Sequence, residues 1–307
     1  MSERADGIVV VCHRDEWEVL LPDGAVVRSS LRGRHFAAVT TDDKPIAPGD
    51  RVRLGLLPDG TAVIDDLLPR ERVLSRRLPR SKREVEQVVV ANAEQLVAVG
   101  SLAAPQLNRR LLDRFLVIGG EAGLSCAVVL NKTDLAGDAE LRSAARAYEI
   151  AGYRVIPTSA VNGRGVPELA SLLAGRFSVI AGPSGAGKSS LLNAVEPGLG
   201  IRVGDVSRKT GKGRHTTSSV TLLRLPGGGL VADTPGFREL GLWRVNPDEL
   251  DSLFPEIGRL ALRCRFSGCS HGPEPGCAVK EAVENDDIDA ERYGSYLKLR
   301  AELSPRE

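Results

Sequence analysis

The chain has 307 residues, of which 42% are hydrophobic and 26% are charged, and its formal net charge is +1. This composition is ordinary for a globular protein of two or three domains, and the near-neutral balance gives no general argument for nucleic-acid binding. No apolar stretch approaches the roughly 18 residues of a membrane span, and no apolar run follows the charged N-terminus. We therefore expect a cytoplasmic protein with no membrane partner. Because no long apolar heptad pattern is present, we expect a monomer.

The first predicted domain covers residues 1–70 and consists of short β-like runs separated by turns rich in Pro, Asp and Gly. About five strands in some 65 residues are typical of a small β-barrel of the OB-fold type. An SH3-like barrel is the alternative, because strand count alone does not decide barrel topology. The predicted strands are 8–12, 17–21, 25–27, 36–39, 51–54 and 62–64.

Residues 71–84 are predicted to be a basic linker. The run from Arg70 to Arg83 holds seven basic residues and one acidic residue, and a second basic run lies between Arg202 and Arg214. Such a run is either a solvated surface or a local contact with phosphate groups, and both interpretations stay open.

From residue 85 to residue 246, apolar runs alternate with helical patterns, which indicates an α/β domain with a parallel sheet. The predicted strands are 95–99, 126–130, 153–156, 178–181 and 230–232. The predicted helices are about 106–118, 138–151, 166–174 and 188–195.

A guanine-binding motif of the NKxD type follows the predicted strand 126–130. The Asp134 carboxylate can accept hydrogen bonds from the ring N–H and the exocyclic amine of guanine, whereas adenine presents the opposite pattern. Asn131 can contact the other edge of the base, and the stem of Lys132 can cover its face. The motif therefore predicts a site for GTP and GDP.

A companion loop follows the next strand. Ser159 and Ala160 resemble the loop in which a backbone N–H of a GTPase, here near Ala160, meets the guanine O6. Each motif alone could be an ordinary polar loop. Their positions at successive strand ends favour guanine binding.

A phosphate-binding loop of the form G-x-x-x-x-G-K-S lies between the predicted strand 178–181 and the predicted helix 188–195. Its glycines let the backbone wrap a phosphate with N–H groups pointing inward. Lys188 would neutralise the β- and γ-phosphates, and the Ser189 hydroxyl would bind Mg²⁺. The predicted nucleotide-binding residues here are Gly182, Pro183, Ser184, Gly185, Ala186, Gly187, Lys188, Ser189 and Ser190.

The order of these motifs is unusual. The guanine motif comes before the phosphate loop, whereas ordinary GTPases carry the phosphate loop first. The sequence therefore predicts a circularly permuted P-loop GTPase domain over residues 85–246, with its motifs in the order G4-G5-G1-G2-G3.

Two switch segments are predicted after the phosphate loop. Asp233 begins a DxxG motif and would hold a Mg²⁺-bound water, and Gly236 would sense the γ-phosphate. Thr217 is the expected magnesium ligand of switch I, with Thr216 as the alternative.

The group that orients the attacking water is predicted from the residues near the DxxG motif. Ras-type GTPases orient the attacking water with a Gln just after DxxG, but this chain has Phe237 there. Intrinsic hydrolysis should therefore be slow. His215 is the candidate catalytic residue, beside Lys188 and Thr217, because imidazole can orient or deprotonate water. Alternatively, His215 is a structural or RNA-contacting switch residue.

Residues 247–307 are predicted to form an α-rich zinc-binding domain. Cys264, Cys269, His271 and Cys277 offer three thiolates and one imidazole, which is the ligand set of a closed structural zinc site. The glycines and prolines among them supply the tight turns that such a site needs. Reduced thiols and a surface histidine are the alternative.

Barrel, permuted GTPase and Cys-x4-Cys-x-His-x5-Cys domain together resemble the RsgA (YjeQ) family of bacterial GTPases that act in small-ribosomal-subunit biogenesis. The resemblance covers nearly the whole chain. Its most specific stretches are 213–217, 233–237 and 264–279, supported by 50–52 and 68–70.

This resemblance implies a late assembly factor that binds the 30S subunit in its GTP state, is stimulated by that subunit to hydrolyse GTP, and then leaves. It also implies that the OB and zinc domains contact 16S rRNA, and that His215 matches the family's switch histidine. One alternative is a GTP-dependent switch that regulates a protein partner, which the near-neutral charge favours. A passive zinc and RNA-binding module with a vestigial nucleotide site is another.

Overall fold

The computed structural model describes residues 4–13, 15–31, 46–77, 86–201, 220–233 and 241–304. The chain divides into two compact units, which we describe separately. The first unit comprises Met1–Glu94, Leu173–Val179 and Gly211–Gly241. The second unit comprises Gln95–Leu172, Ile180–Thr210 and Leu242–Glu307. The domain limits given above stay predictions.

In chain order the described strands are β1 (Arg4–Cys12), β2 (Trp17–Leu20), β3 (Val26–Leu31), β4 (Arg51–Leu56), β5 (Ala62–Leu67), β6 (Val73–Arg77), β7 (Glu86–Ala91), β8 (Gln95–Ser101), β9 (Ser125–Asn131), β10 (Arg154–Pro157), β11 (Phe177–Ala181), β12 (Thr221–Arg224) and β13 (Leu230–Asp233). The described helices are α1 (Arg109–Glu121), α2 (Asp138–Ala151), α3 (Val166–Leu173), α4 (Lys188–Val195), α5 (Pro255–Ala261), α6 (Ala278–Glu284) and α7 (Ala290–Leu303). Each of these helices is too short or too polar to cross a membrane.

The first unit contains a closed barrel of five strands. The strands follow the order β1-β2-β3-β5-β4, and β4 pairs with β1 to close the ring. β3 and β5 run parallel, whereas the other neighbours are antiparallel. This Greek-key connection confirms the predicted OB-type barrel over the SH3-like alternative. The predicted strand 36–39 lies outside the described residues.

The barrel core follows from the period-two alternation of its strands. Val9, Trp17, Val19, Leu54 and Ile64 point inward and are at most 5% exposed. The register of β1 with β2 shifts between Val9 and Val11. Such a bulge bends a strand, and it lets β1 take part in both halves of the barrel wall.

A hairpin of β6 and β7 packs beside the barrel within the first unit. β6 lies inside the segment 71–84 that the basic composition predicted as a linker. The Asp50 carboxylate is fully buried at this junction, where it accepts two 2.8 Å hydrogen bonds from the Arg70 guanidinium and one of 2.7 Å from the Ala47 N–H. A charge-assisted pair of this geometry holds the segment that leads into β6 against the turn that leads into β4.

The second unit is built on the parallel strands β10, β9 and β8, in that order. β8 is buried at every residue, as expected for a strand covered on both faces. α1 begins where Asn108 accepts a hydrogen bond from the Leu111 N–H at 3.0 Å, and it buries Leu112, Phe115 and Leu116. α2 ends at Gly152, which adopts the left-handed conformation of a helix C-cap.

The C-terminal part of the second unit is helical, as predicted. A 3₁₀ helix over Leu250–Leu253 precedes α5, and the metal-ligand segment separates α5 from α6. Apolar side chains of this C-terminal part are fully buried, including Phe254, Ile257, Val279 and, on α7, Tyr296.

Candidate nucleotide and metal sites

The phosphate loop connects β11 to α4 in the predicted way. β11 is buried along its whole length, and Gly187 is the residue that precedes α4. Gly185 and Gly187 have φ angles of +82° and +88°, which favour glycine. A Cβ on Gly182 would lie 2.4 Å from the Val99 carbonyl oxygen, so this position has no room for a side chain. The loop thus opens at a helix N-terminus, where backbone N–H groups attract anions.

Lys188 and Ser189 lie inside this loop and are each 8% exposed. The Lys188 ammonium donates to the carbonyl oxygens of Gly182 at 2.8 Å and Pro183 at 3.1 Å. It therefore lies within the turn of backbone that the motif assigns to the phosphates.

Asn131 joins three predicted nucleotide loops. Its side-chain amide donates to the Ala186 carbonyl of the phosphate loop at 2.8 Å, and its oxygen accepts from the Thr158 hydroxyl at 3.2 Å. A Cβ on Gly187 would lie 2.3 Å from the Asn131 amide nitrogen. Buried at 1% exposure, Asn131 fixes the guanine motif against both neighbouring loops.

Lys132 has a left-handed backbone, with a φ of 63°, and its ammonium donates to the Ala104 carbonyl. Asp134 is exposed, and it accepts a 2.5 Å hydrogen bond from the buried Ser159 hydroxyl. This bond orients the Asp134 carboxylate from the companion loop. Ala160 follows at half-buried depth.

The predicted switch residues are described only in part. Asp233 is the last residue of β13, and its backbone pairs with Thr221 in the first unit. Gly236, Thr217 and His215 lie outside the described residues, as do Thr216 and Phe237. Their predicted roles therefore stay predictions.

The four predicted metal ligands converge. The ligand atoms of Cys264, Cys269, His271 and Cys277 all lie within 4.8 Å of one another. The Cys264 and Cys277 sulfurs are 3.8 Å apart, and each is 3.5 Å from His271 Nδ1. A tetrahedral ion with zinc-like bond lengths places two sulfurs about 3.8 Å apart and a sulfur and a nitrogen about 3.6 Å apart. The residues therefore fit one four-coordinate metal ion.

The remaining contacts of His271 suit a metal ligand. Its Nε2 faces the Asp251 carboxylate at 3.8 Å, and its carbonyl accepts a 2.6 Å bond from the Tyr293 hydroxyl. A carboxylate behind a ligating imidazole orients the ring. Burial lowers the pKa of His271, so the neutral form that binds metal is favoured.

The ligand loop is also held by Glu274. Its carboxylate accepts hydrogen bonds from the Ser270 hydroxyl at 2.6 Å, the Ser270 N–H at 3.0 Å and the Gly272 N–H at 3.0 Å. These bonds, the Ser270 hydroxyl bond above all, lower the pKa of Glu274 to about 2. The loop is therefore shaped by its own side chains as well as by a metal.

Known proteins resemble this chain over its whole length. The sequence profile described as RsgA GTPase matches residues 67–243. The small ribosomal subunit biogenesis GTPase RsgA of Gemmatimonas aurantiaca is 44% identical over 311 residues, covering 100% of both chains. That of Moorella thermoacetica is 45% identical over 285 residues, covering 93% of each chain.

The chain belongs to the RsgA GTPase family.

Two solved structures agree with this assignment. The crystal structure of YjeQ from Thermotoga maritima has a TM-score of 0.80 at 35% identity, and it is matched over 99% of this chain and 100% of that one. YloQ, a circularly permuted GTPase, has a TM-score of 0.76 at 28% identity, with 99% and 98% covered. The predicted fold class is confirmed: a circularly permuted P-loop GTPase with an N-terminal barrel and a C-terminal metal-ligand cluster.

Sequence reasoning missed one buried cluster in this RsgA family member. Arg292 of α7 is 1% exposed, and its guanidinium donates to Asp113 of α1 at 2.5 Å and to Glu256 of α5 at 2.6 Å. The same group lies 5.0 Å from the Tyr148 ring centre and 5.2 Å from that of Phe254. Burial raises the pKa of Asp113 to about 6, although Arg292 opposes the shift. We call Arg292, Asp113 and Glu256 the buried triad.

Proposed function

We propose that this chain hydrolyses GTP to GDP and phosphate in a Mg²⁺-dependent cycle that serves maturation of the small ribosomal subunit. The observation that carries the GTP part is the Asn131 amide, which connects the phosphate loop to both guanine loops. A protein that binds base and phosphates together needs these loops in one fixed arrangement. The ribosomal part comes from the full-length relatives named for small-subunit biogenesis.

The nucleotide residues divide by role. Asp134, oriented by Ser159, reads the guanine amine and ring N–H, and the backbone near Ala160 reads O6. Lys188 neutralises the β- and γ-phosphates, with the other residues of 182–190 around them. When Mg²⁺ is bound, it would neutralise further negative charge on the phosphates.

The switches complete this scheme. Ser189 and Thr217 would hold Mg²⁺, Asp233 a water of its shell, and Gly236 would respond to the γ-phosphate. His215 would orient the attacking water in place of the Gln that this chain lacks.

The second cofactor in this proposal is one structural zinc ion. Cys264, Cys269, His271 and Cys277 supply four ligands with tetrahedral spacing, which leaves no open position for a substrate. The ion would link α5 to α6 and would stabilise the C-terminal domain.

The proposed partner is the 30S subunit, with 16S rRNA contacted by the OB domain (1–70) and the zinc domain (247–307). The GTPase domain (85–246) would lie between these two domains in the sequence, and 71–84 would connect it to the OB domain. The whole chain would act as a cytoplasmic monomer.

The test is the GTP hydrolysis rate of the chain alone, with purified 30S subunits, and with 50S subunits as the control. Stimulation by 30S alone supports the proposal, and His215→Ala should then remove most of the stimulated rate. If GTP binds but 30S subunits leave the hydrolysis rate unchanged, the hypothesis of a regulatory switch with a protein partner becomes the better one. The net charge of +1 favours that alternative.

A further inference from the structure

One edge of β1 is shared by two different strands. Residues 4–8 of β1 pair with β4, and residues 8–12 pair on the opposite edge with β2. The pairing with β4 ends at Ile8. Further along the same edge of β1, Val11 pairs with Thr221 of β12. The barrel therefore continues directly into the β12–β13 hairpin within the first unit.

The two predicted switches adjoin this hairpin in the sequence, at the start of β12 and at the end of β13. β12 begins at Thr221, shortly after the predicted switch residue Thr217, and β13 ends at Asp233, the first residue of the predicted DxxG motif. Thr221 and Asp233 are paired across the hairpin. Thr221, which bonds to the barrel at Val11, and Asp233 are therefore the described residues nearest in the chain to the two predicted switches.

The other end of β12 contacts the barrel through the exposed side chain of Arg224. The Arg224 guanidinium donates to the carbonyl oxygen of Gly24, in the turn between β2 and β3, at 3.2 Å. Gly24 has a φ of +92°, and a Cβ there would lie 2.3 Å from Arg224 Nη1. A glycine at this position both permits the turn and leaves room for the guanidinium.

We propose that Arg224 and Gly24 are positioning residues that couple the barrel to the switches. A four-residue strand bonded to the barrel at both ends moves with it. When a partner binds and shifts the barrel, the shift reaches Thr221 and Asp233 without passing through a loop. Loss of the Arg224 contact leaves the pairing of Val11 with Thr221 as the described bond between the barrel and β12, so less of the shift is transmitted. This inference rests on the proposed stimulation by the 30S subunit.

The experiment measures GTP hydrolysis against 30S concentration for the wild-type chain, Arg224→Ala, Gly24→Ala and the double variant. Arg110→Ala is the matched control, because it removes an exposed arginine whose ion pair with Glu302 lies in the second unit. Each titration yields the basal rate, the maximal stimulated rate and the half-saturating 30S concentration. None of these residues belongs to the nucleotide site.

We expect both single variants to lower the maximal stimulated rate about three- to tenfold, in line with one lost hydrogen bond. The basal rate and the half-saturating concentration should stay as in the wild type. The double variant should be no worse than the poorer single variant, because both changes remove one contact. The Arg110→Ala control should behave as the wild type.

An unchanged maximal rate in both variants overturns the inference. So does a changed half-saturating concentration with an unchanged maximal rate, since Arg224 and Gly24 would then contact the subunit themselves. If the wild-type chain is not stimulated at all, the proposed ribosomal function has failed, and the coupling fails with it. The wild-type titration therefore separates the two failures.

Discussion

Replacing Arg292 with Leu should destabilise the second unit strongly. The substitution removes the guanidinium that lies within 2.6 Å of both the Asp113 and the Glu256 carboxylates, whose side chains are 0% and 3% exposed. Removing one partner of a buried ion pair typically costs about 3–5 kcal/mol, because a buried charge is left uncompensated. The three aromatic rings around the guanidinium add a smaller loss. We expect a decrease of about 3–5 kcal/mol in the free energy of unfolding near neutral pH.

The loss should depend on pH in a defined direction. Burial already raises the pKa of Asp113 to about 6 in the folded chain, and Arg292 opposes that shift. Without Arg292 the folded pKa rises further, whereas the unfolded value stays near 4. A raised folded pKa gives stability that is present at low pH and is lost as the pH rises through the folded value. The deficit of Arg292→Leu should therefore be smaller at about pH 5 than at about pH 8.

Urea unfolding followed by circular dichroism at both pH values measures this difference. Arg110→Leu is the control, since its ion pair with Glu302 is exposed and should contribute under about 1 kcal/mol. The triple variant Asp113→Leu, Glu256→Leu, Arg292→Leu should recover part of the lost unfolding free energy, because none of the three buried charges remains. A deficit of less than about 1 kcal/mol, equal at both pH values, would refute the reasoning.

Three further outcomes are expected. Cys277→Ser should lower bound zinc well below one ion per chain and lower the melting temperature. The control Cys12→Ser, in the barrel core, should keep its zinc. Metal analysis by mass spectrometry measures the zinc content of both variants. Asp134→Asn should weaken GTP binding by at least about tenfold and favour xanthosine triphosphate, whose ring offers an oxygen in place of the guanine amine. Competition binding with both nucleotides tests it, and unchanged preference contradicts it. Asp50→Asn should lower the unfolding free energy by about 3 kcal/mol, because the buried Arg70 pair is broken; a melting curve equal to the wild type would show that this pair is dispensable.

The parts of the fold that the sequence predicts well are those set by local spacing. The metal ligands lie within 14 residues, so their types and intervals are readable together. α2 and α4 match their predicted limits, because helical periodicity and flanking glycines are local signals. The barrel strands were found by alternation, although β3 and β5 extend further than their apolar cores indicated.

The parts that it does not predict depend on distant partners. The charge of Arg292 predicts a solvent-exposed side chain. Its partners Glu256 and Asp113 lie 36 and 179 residues away, so the sequence near Arg292 does not indicate its burial. The arginines of β6 indicate a linker, and its pairing with β7, which is not visible in the local sequence, makes it a strand. The contact of Asn131 with Ala186, 55 residues away, likewise has no signature in the motif itself. Long-range pairing decides such cases, and one sequence carries no direct signal for it.

The pairing of β1 with β12 at Val11 has a consequence for biosynthesis. Thr221 is far along the chain from Val11, so the barrel can close long before this edge of β1 is covered. Until β12 has been made, the Val11 backbone groups on that edge lack their partner strand, and an unpaired strand edge is a surface at which separate chains aggregate. A fragment that ends at residue 94 would keep that exposed edge permanently. Isolated barrels of this chain should therefore self-associate more readily than the full-length protein does.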